Sequence, residues 1–213
     1  MKWKDHRRLI LAATQKHRVP YSTYNGLMKG VIYPDETNSW RKMQGERLES
    51  HHNPDPDKII KLIWQARRNW LNGEENNAGF YLGRALHYIH DGSVGKGFLG
   101  LFHDSNENKI NEIIINENIL FSGINDSKCD PFYIEYLICS IKSQSPEKAI
   151  DRATYITASL IKAVFNNQSI PIEAEEEYKK ASARRKNLIG YLISKIDSNW
   201  FKIEKKWKWF NKD

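Results

Sequence analysis

Apolar residues recur along this chain every three or four positions, and few stretches alternate as strands do, so helical periodicity dominates it. The clearest stripe is Ile59, Leu62, Ile63, Ala66 and Trp70, bounded by Asp55-Pro56 in front and Leu71-Asn72-Gly73 behind. Aspartate before proline is a favoured helix start, and glycine a favoured stop. The same reading predicts helices over 5–16, 56–72, 76–91, 104–116, 130–143 and 146–166, the last opened by Ser145-Pro146-Glu147, and a long one over 173–211. Residues 110–121 suit a strand pair as well as a helix, because Ile113-Ile114-Ile115 and Ile119-Leu120-Phe121 are short apolar runs. An all-α, multi-helix fold is predicted, with its best break at Ser169-Ile170-Pro171: a helical domain over 1–169 and a helical extension over 170–213. With 213 residues, 40% of them hydrophobic, the chain can enclose one core.

Within the predicted helix ending at Asp91, His87 and Asp91 stand four residues apart, so imidazole and carboxylate stack on one face and aim at one point. His103 and Glu107 repeat the arrangement, and His6, Asp35 and His52 precede both pairs. One such pair is common on solvated helix faces. Two of them behind three further nitrogen and oxygen ligands, without cysteine, suggest a polynuclear metal centre. Neutral imidazole and carboxylate bind zinc at about 2.0–2.2 Å while leaving a position open for water, whereas thiolates tend to close the site.

Taken in order, His6-Arg-Arg-Leu-Ile-Leu-Ala-Ala, Tyr33-Pro34-Asp35, His52-Asn-Pro-Asp-Pro-Asp, Leu82-Gly-Arg-Ala-Leu-His87-Tyr-Ile-His-Asp91 and Phe102-His103-Asp-Ser-Asn-Glu107 resemble the zinc-dependent phospholipase C family. Its relatives, the single-strand-specific zinc nucleases, share the pattern. The resemblance covers about residues 1–169, and the His52 and His87–Asp91 blocks carry most of it; the helix over 148–165 looks like the family's closing helix. It implies that Asp35, His52 and His87 bind one zinc and that Asp91 bridges it to a second. His6, with the terminal amine and first carbonyl of Met1, would complete the second. In the zinc nucleases the terminal ligand lies five positions before the histidine, as Met1 does before His6, and the large Lys2 predicts that Met1 is kept. His103 and Glu107 match the last two ligands of a third zinc. The histidine that the family places between Asp91 and His103 is missing near Gly95-Lys96-Gly97, so that site is expected to be weakened, water-completed or formed only with substrate phosphate. His90 is the spare imidazole nearby, but on a helix it should point about 100° away from Asp91. His17, His51 and His90 are therefore read as polar non-ligands.

The implied activity is hydrolysis of a phosphoester. Two ions about 3.5–4 Å apart can share a hydroxide, because zinc lowers the pKa of bound water to about 7. Asp35 is the catalytic candidate, binding metal with one oxygen and orienting the attacking water with the other. Arg84, one turn before His87, and Lys96 are candidate substrate-binding cations for the charge that a third ion would stabilise. For Arg84 a surface ion pair is the competing reading, and Asp55 and Asp57 read first as helix-capping residues. Phospholipid is the first choice of substrate. The alternatives are a single-strand nuclease with an aromatic slot for a base, a helical phosphohydrolase whose adjacent His90-Asp91 would make His90 the ligand, and a metal-containing binding protein without turnover.

Charge separates the two predicted units. From Lys179 onward, eleven Lys or Arg stand against three acidic residues, a net of +8, while the whole chain is +7 with a pI near 9.2. Ile189, Ile193, Ile196, Trp200, Ile203, Trp207 and Phe210 recur there among Lys202, Lys205, Lys206 and Lys208, as on an amphipathic basic helix. Such a helix suits docking on the domain or on another copy as an oligomer, an anionic membrane surface, or nucleic-acid phosphates with tryptophans stacked on bases. No apolar run is long enough to span a membrane, Leu9–Ala13 is too short for a signal peptide, and Cys129 and Cys139 read as ordinary thiols. A cytoplasmic protein is expected, peripheral on a membrane where the tail recruits it.

Overall fold

The structure, a computed structural model, describes residues 1–37, 56–94, 103–142 and 144–166, and for 103–107 the backbone alone. His51, His52, Asp55, Lys96 with its two flanking glycines, and the extension predicted over 170–213 lie outside these residues, as do the side chains of His103 and Glu107.

Among the described residues the fold is all-α. The helices are α1 (Trp3–Lys16), α2 (Tyr21–Gly30), α3 (Pro56–Leu71), α4 (Glu75–Ser93), α5 (His103–Glu112), α6 (Glu117–Asp126), α7 (Pro131–Cys139) and α8 (Pro146–Val164). Residues 33–37 are also helical. The nearest approach to strand pairing is one isolated parallel bridge between Val94 and Gln144. The strand pair considered for 110–121 does not form: α5 runs through Ile110, residues 113–116 are irregular, and the Asn116 side chain accepts the Asn118 N–H at 3.0 Å to start α6.

The helix ends follow their local chemistry. Gly73 has φ +77°, and the N–H groups of Gly73 and Glu74 close back on the carbonyls of Trp70 and Asn69 at 3.0 and 2.8 Å, a left-handed stop that glycine accepts without strain. Asp130 caps α7 by accepting the Tyr133 N–H at 2.8 Å, and Pro131 fills the first position, where no N–H is needed.

Helix α2 has no such signature, since Tyr-Ser-Thr-Tyr-Asn-Gly is poor helix-forming sequence. Its stability comes from how closely it approaches α4. A Cβ on Gly26 would lie 2.1 Å from the Asn76 carbonyl oxygen, and one on Gly79 would lie 2.1 Å from that of Thr23. The two backbones are in contact because both helices present glycine there.

Helix α4 is surrounded by α2, α3 and α8, with α1 across one end, and buries Leu82, Leu86 and Ile89 against Leu27, Ile59 and Ile63. A second apolar cluster of Met1, Leu9, Val94, Ile110, Ile150 and Ala153 seats the start of the chain. Arg8 ties α1 to the end of α5 by donating to the carbonyls of Ile113 and Ile110 at 2.7 and 2.9 Å. The buried Arg67 guanidinium donates to the carbonyls of Val164 and Asn166 at 2.7 and 2.5 Å, satisfying acceptors that the end of α8 leaves open. No helix among the described residues is long and apolar enough to cross a membrane.

Replacing Gly79 by Ala forces α2 and α4 apart and should destabilise the protein by about 1–3 kcal/mol, the usual range for overpacking. Denaturant unfolding of Gly79→Ala beside the parent measures it; equal midpoints would remove the close approach as the reason α2 folds.

Candidate metal centre

Asp91 lies in the last turn of α4, one helical turn beyond His87, so both face the start of α1. Helix α1 brings His6, and the buried Met1 side chain holds the terminal amine in place. His6, His87 and Asp91 are buried, and their ligand atoms lie within 4.8 Å of one another, a group able to hold a metal ion.

The two oxygens of Asp91 face different partners. Oδ1 accepts from the Met1 amine at 2.7 Å and lies 3.4 Å from His6 Nε2. Oδ2 lies 3.3 Å from His87 Nε2, which in turn is 3.7 Å from Asp35 Oδ1. Ligands held tetrahedrally at about 2.0–2.2 Å from a zinc ion stand roughly 3.3–3.6 Å from one another. The imidazole-to-carboxylate separations fall close to that spacing.

Proton placement sharpens this. His87 Nδ1 is 2.8 Å from the Val31 carbonyl, which can only accept, so Nδ1 carries the hydrogen. Nε2 then faces two carboxylates, an arrangement that a positive charge there stabilises, whether a proton on Nε2 or a metal cation between the groups. His6 Nε2 is also buried and approaches Asp91 without hydrogen-bond geometry. Burial alone would push the Asp91 carboxyl up; the contact with His6, the neighbouring His87 and the Met1 ammonium outweigh it and hold the group well below the usual carboxylate range.

The predicted residues Met1, His6, Asp35, His87 and Asp91 are thus brought together. Asp35 is the accessible member, with 27% of its side chain exposed against 4% for Asp91. Its second oxygen, which sequence reasoning assigned to an attacking water, accepts the Trp3 indole N–H at 2.7 Å. Arg84 spreads its guanidinium over the rings of Tyr33 and Phe80, 5.1 and 5.8 Å from their centroids.

Sequence reasoning missed Trp3 and the role of His90. His90 is not polar surface but fully buried: it does turn from Asp91, as its helical angle requires, into the interface with α8. Its Nδ1 is 3.0 Å from His6 Nδ1 and its Nε2 2.8 Å from Thr157 Oγ1. Both nitrogens are engaged, which leaves His90 no lone pair for the centre in place of His87. Burial, then the neighbouring His6, drive its pKa well below the ordinary imidazole value, with Asp91 opposing. The His6 ring lies nearly parallel to those of His87 and His90, with centroids 4.6 and 5.2 Å away, and meets His90 edge to edge through the two Nδ1 atoms. No signal in a single sequence pairs residues 84 positions apart. No family model, curated protein or solved structure matches the chain.

Because the folded Asp91 carboxyl titrates below its unfolded value, the stability it contributes is complete well above about pH 4 and is lost as pH falls through the folded pKa. With a chelator present, Asp91→Asn should destabilise by about 3–5 kcal/mol at pH 7, the range for breaking a buried ion pair. The gap from the parent should narrow below about pH 4. Urea unfolding across pH measures both; a gap constant down to pH 2 would mean that the carboxylate charge is not what matters.

Proposed function

We propose that the chain is a zinc-dependent phosphoester hydrolase, similar to the zinc-dependent phospholipases C, with phospholipid headgroups as the first substrate class. The observation that carries this reading is the divided carboxylate. Asp91 Oδ1 faces the Met1 amine and His6, while Oδ2 faces His87 and, beyond it, Asp35. Two ligand groups sharing one carboxylate is the donor arrangement of a two-ion centre. All donors are nitrogen or oxygen, a set found at water-activating zinc sites.

Zinc bound there would supply a nucleophile at neutral pH by lowering the pKa of a coordinated water to about 7. The protein's own part is to hold the donors still and admit substrate from one side. Val31 fixes the His87 ring, Trp3 fixes Asp35, and the burial of His6, His87 and Asp91 leaves Asp35 as the side facing solvent. Asp35 is assigned the proton of an attacking water at that opening, a role in which its Oδ2 exchanges the Trp3 N–H for the water. Arg84 and Lys96 are assigned to the substrate phosphate, and His52, His103 and Glu107 to the remaining ligand positions.

One observation favours nucleic acid as a second reading. Trp3, 45% exposed and bonded to Asp35, offers a stacking surface beside the centre. The basic aromatic tail over 179–213 suits either an anionic membrane or a polynucleotide.

Elemental analysis of dialysed, untagged protein should find about two zinc ions per chain, falling in Asp91→Asn. Hydrolysis of bis(p-nitrophenyl) phosphate should be lost with chelator and return with zinc, and Asp35→Asn should lower kcat by about 10²-fold or more. Rates on phosphatidylcholine vesicles and on a single-stranded oligonucleotide choose between the substrate readings. Retained zinc without hydrolysis of any of the three would make this a metal-containing binding protein, and no retained metal would end the hydrolase reading. Residues added before Met1 should weaken zinc binding, and unchanged affinity would remove the amine from the ligand set.

A further inference from the structure

Resting on the metal reading above, we propose that His90 is a positioning residue. With Thr157, it holds His6 in the tautomer protonated on Nδ1, so that the Nε2 lone pair faces a cation at Asp91.

The contact between His6 Nδ1 and His90 Nδ1, at 3.0 Å and fully buried, requires a hydrogen on one nitrogen and a lone pair on the other. The other nitrogen of His90 meets the Thr157 hydroxyl, also buried, at 2.8 Å. A hydroxyl both donates and accepts, and each neutral imidazole carries one N–H. The three groups therefore have two self-consistent arrangements.

In the first, His6 Nδ1–H donates to His90, and His90 Nε2–H donates to Thr157. His6 Nε2 is then a lone pair, the form that ligates metal. In the second, the Thr157 hydroxyl donates to His90 Nε2, and His90 Nδ1–H donates to His6 Nδ1. His6 Nε2–H then points at Asp91 Oδ1, 3.4 Å away, and no lone pair faces the centre. The two arrangements hold the same number of protons and the same charge, so passing between them is a change of tautomer alone.

His87 has no such choice, because its outer nitrogen meets a backbone carbonyl. His6 depends on what its neighbour can accept. Thr157 lies on α8, on the opposite edge of the His90 ring from His6, and its oxygen can take the His90 Nε2–H that the first arrangement requires. Replacing it by Val leaves a buried His90 Nε2–H without an acceptor in the first arrangement, and buried donors are the groups least tolerated unpaired. That substitution disfavours the ligating form without changing any group that faces Asp91.

The test is zinc titration by calorimetry on the full chain, paired with ¹⁵N NMR of the His6 ring. In the zinc-loaded parent, His6 should carry its hydrogen on Nδ1. His90→Phe, which keeps an aromatic ring but cannot accept, should weaken zinc binding about 10–100-fold, the usual effect of removing a partner behind a ligand. Thr157→Val should weaken it in the same direction and move the His6 hydrogen to Nε2 before zinc is added. His90→Gln, whose amide oxygen accepts, should recover part of the loss. If His90→Phe does not fold, Thr157→Val carries the test, since it exchanges a hydroxyl for a methyl of nearly equal shape. Folded variants that bind zinc within twofold of the parent, or a loaded parent with the hydrogen on His6 Nε2, would overturn the positioning role and leave the metal reading standing. A parent that binds no zinc overturns both.

Discussion

A carboxylate with almost no access to water stays ionised only where cationic or N–H groups face its oxygens. Asp91 meets that condition by recruiting groups from far along the chain. The amine of Met1 and the ring of His6 come from the first turns of the protein, and His87 from the turn before Asp91 itself. Helix α1 must therefore dock across the end of α4 before the charge can be buried. The apolar cluster of Met1, Leu9, Val94, Ile110 and Ile150 provides the docking energy, and Arg8 clamps the same helix to the end of α5. Folding and assembly of the centre are in this sense one event.

The two imidazoles beside Asp91 are supported in different ways. The Val31 carbonyl has no hydrogen to give, so it keeps a hydrogen on His87 Nδ1. Thr157 and His90 can each give or accept, so the hydrogen on His6 is coupled to theirs. One ring is set by the backbone and the other by a negotiable chain of side chains.

Much of the helical architecture was legible beforehand, because its signals are local. The stripe from Ile59 to Trp70, the stop at Gly73 and the starts at Pro56 and Pro146 act within a few residues. Helix α2 was not legible, since its sequence disfavours helix and its stability depends on glycines fifty residues away in α4. Helix α6 was blurred by the apolar runs around Ile114 and Leu120, where length alone separates strand from helix. At the site, the four-residue spacing of His87 and Asp91 was readable because a helix converts it into distance. Trp3, Val31, His90 and Thr157 were not, because each acts through space on a residue of another element. A helix wheel does not say what waits beside His90, and here it is His6 of α1 on one edge and Thr157 of α8 on the other.

The backbone contact between α2 and α4 also settles where the centre can give. Glycine against carbonyl leaves no side chain to re-rotamerise and no room to slide by a residue, so the distance from the Val31 carbonyl to the His87 ring is mechanically stiff. Asp35 lies beyond α2 in a short helical stretch, part exposed, and accepts the Trp3 indole N–H. Of the groups gathered at Asp91, Asp35 is the one placed to shift, and His87 is not. The compliance of the centre is concentrated on the same side that admits solvent.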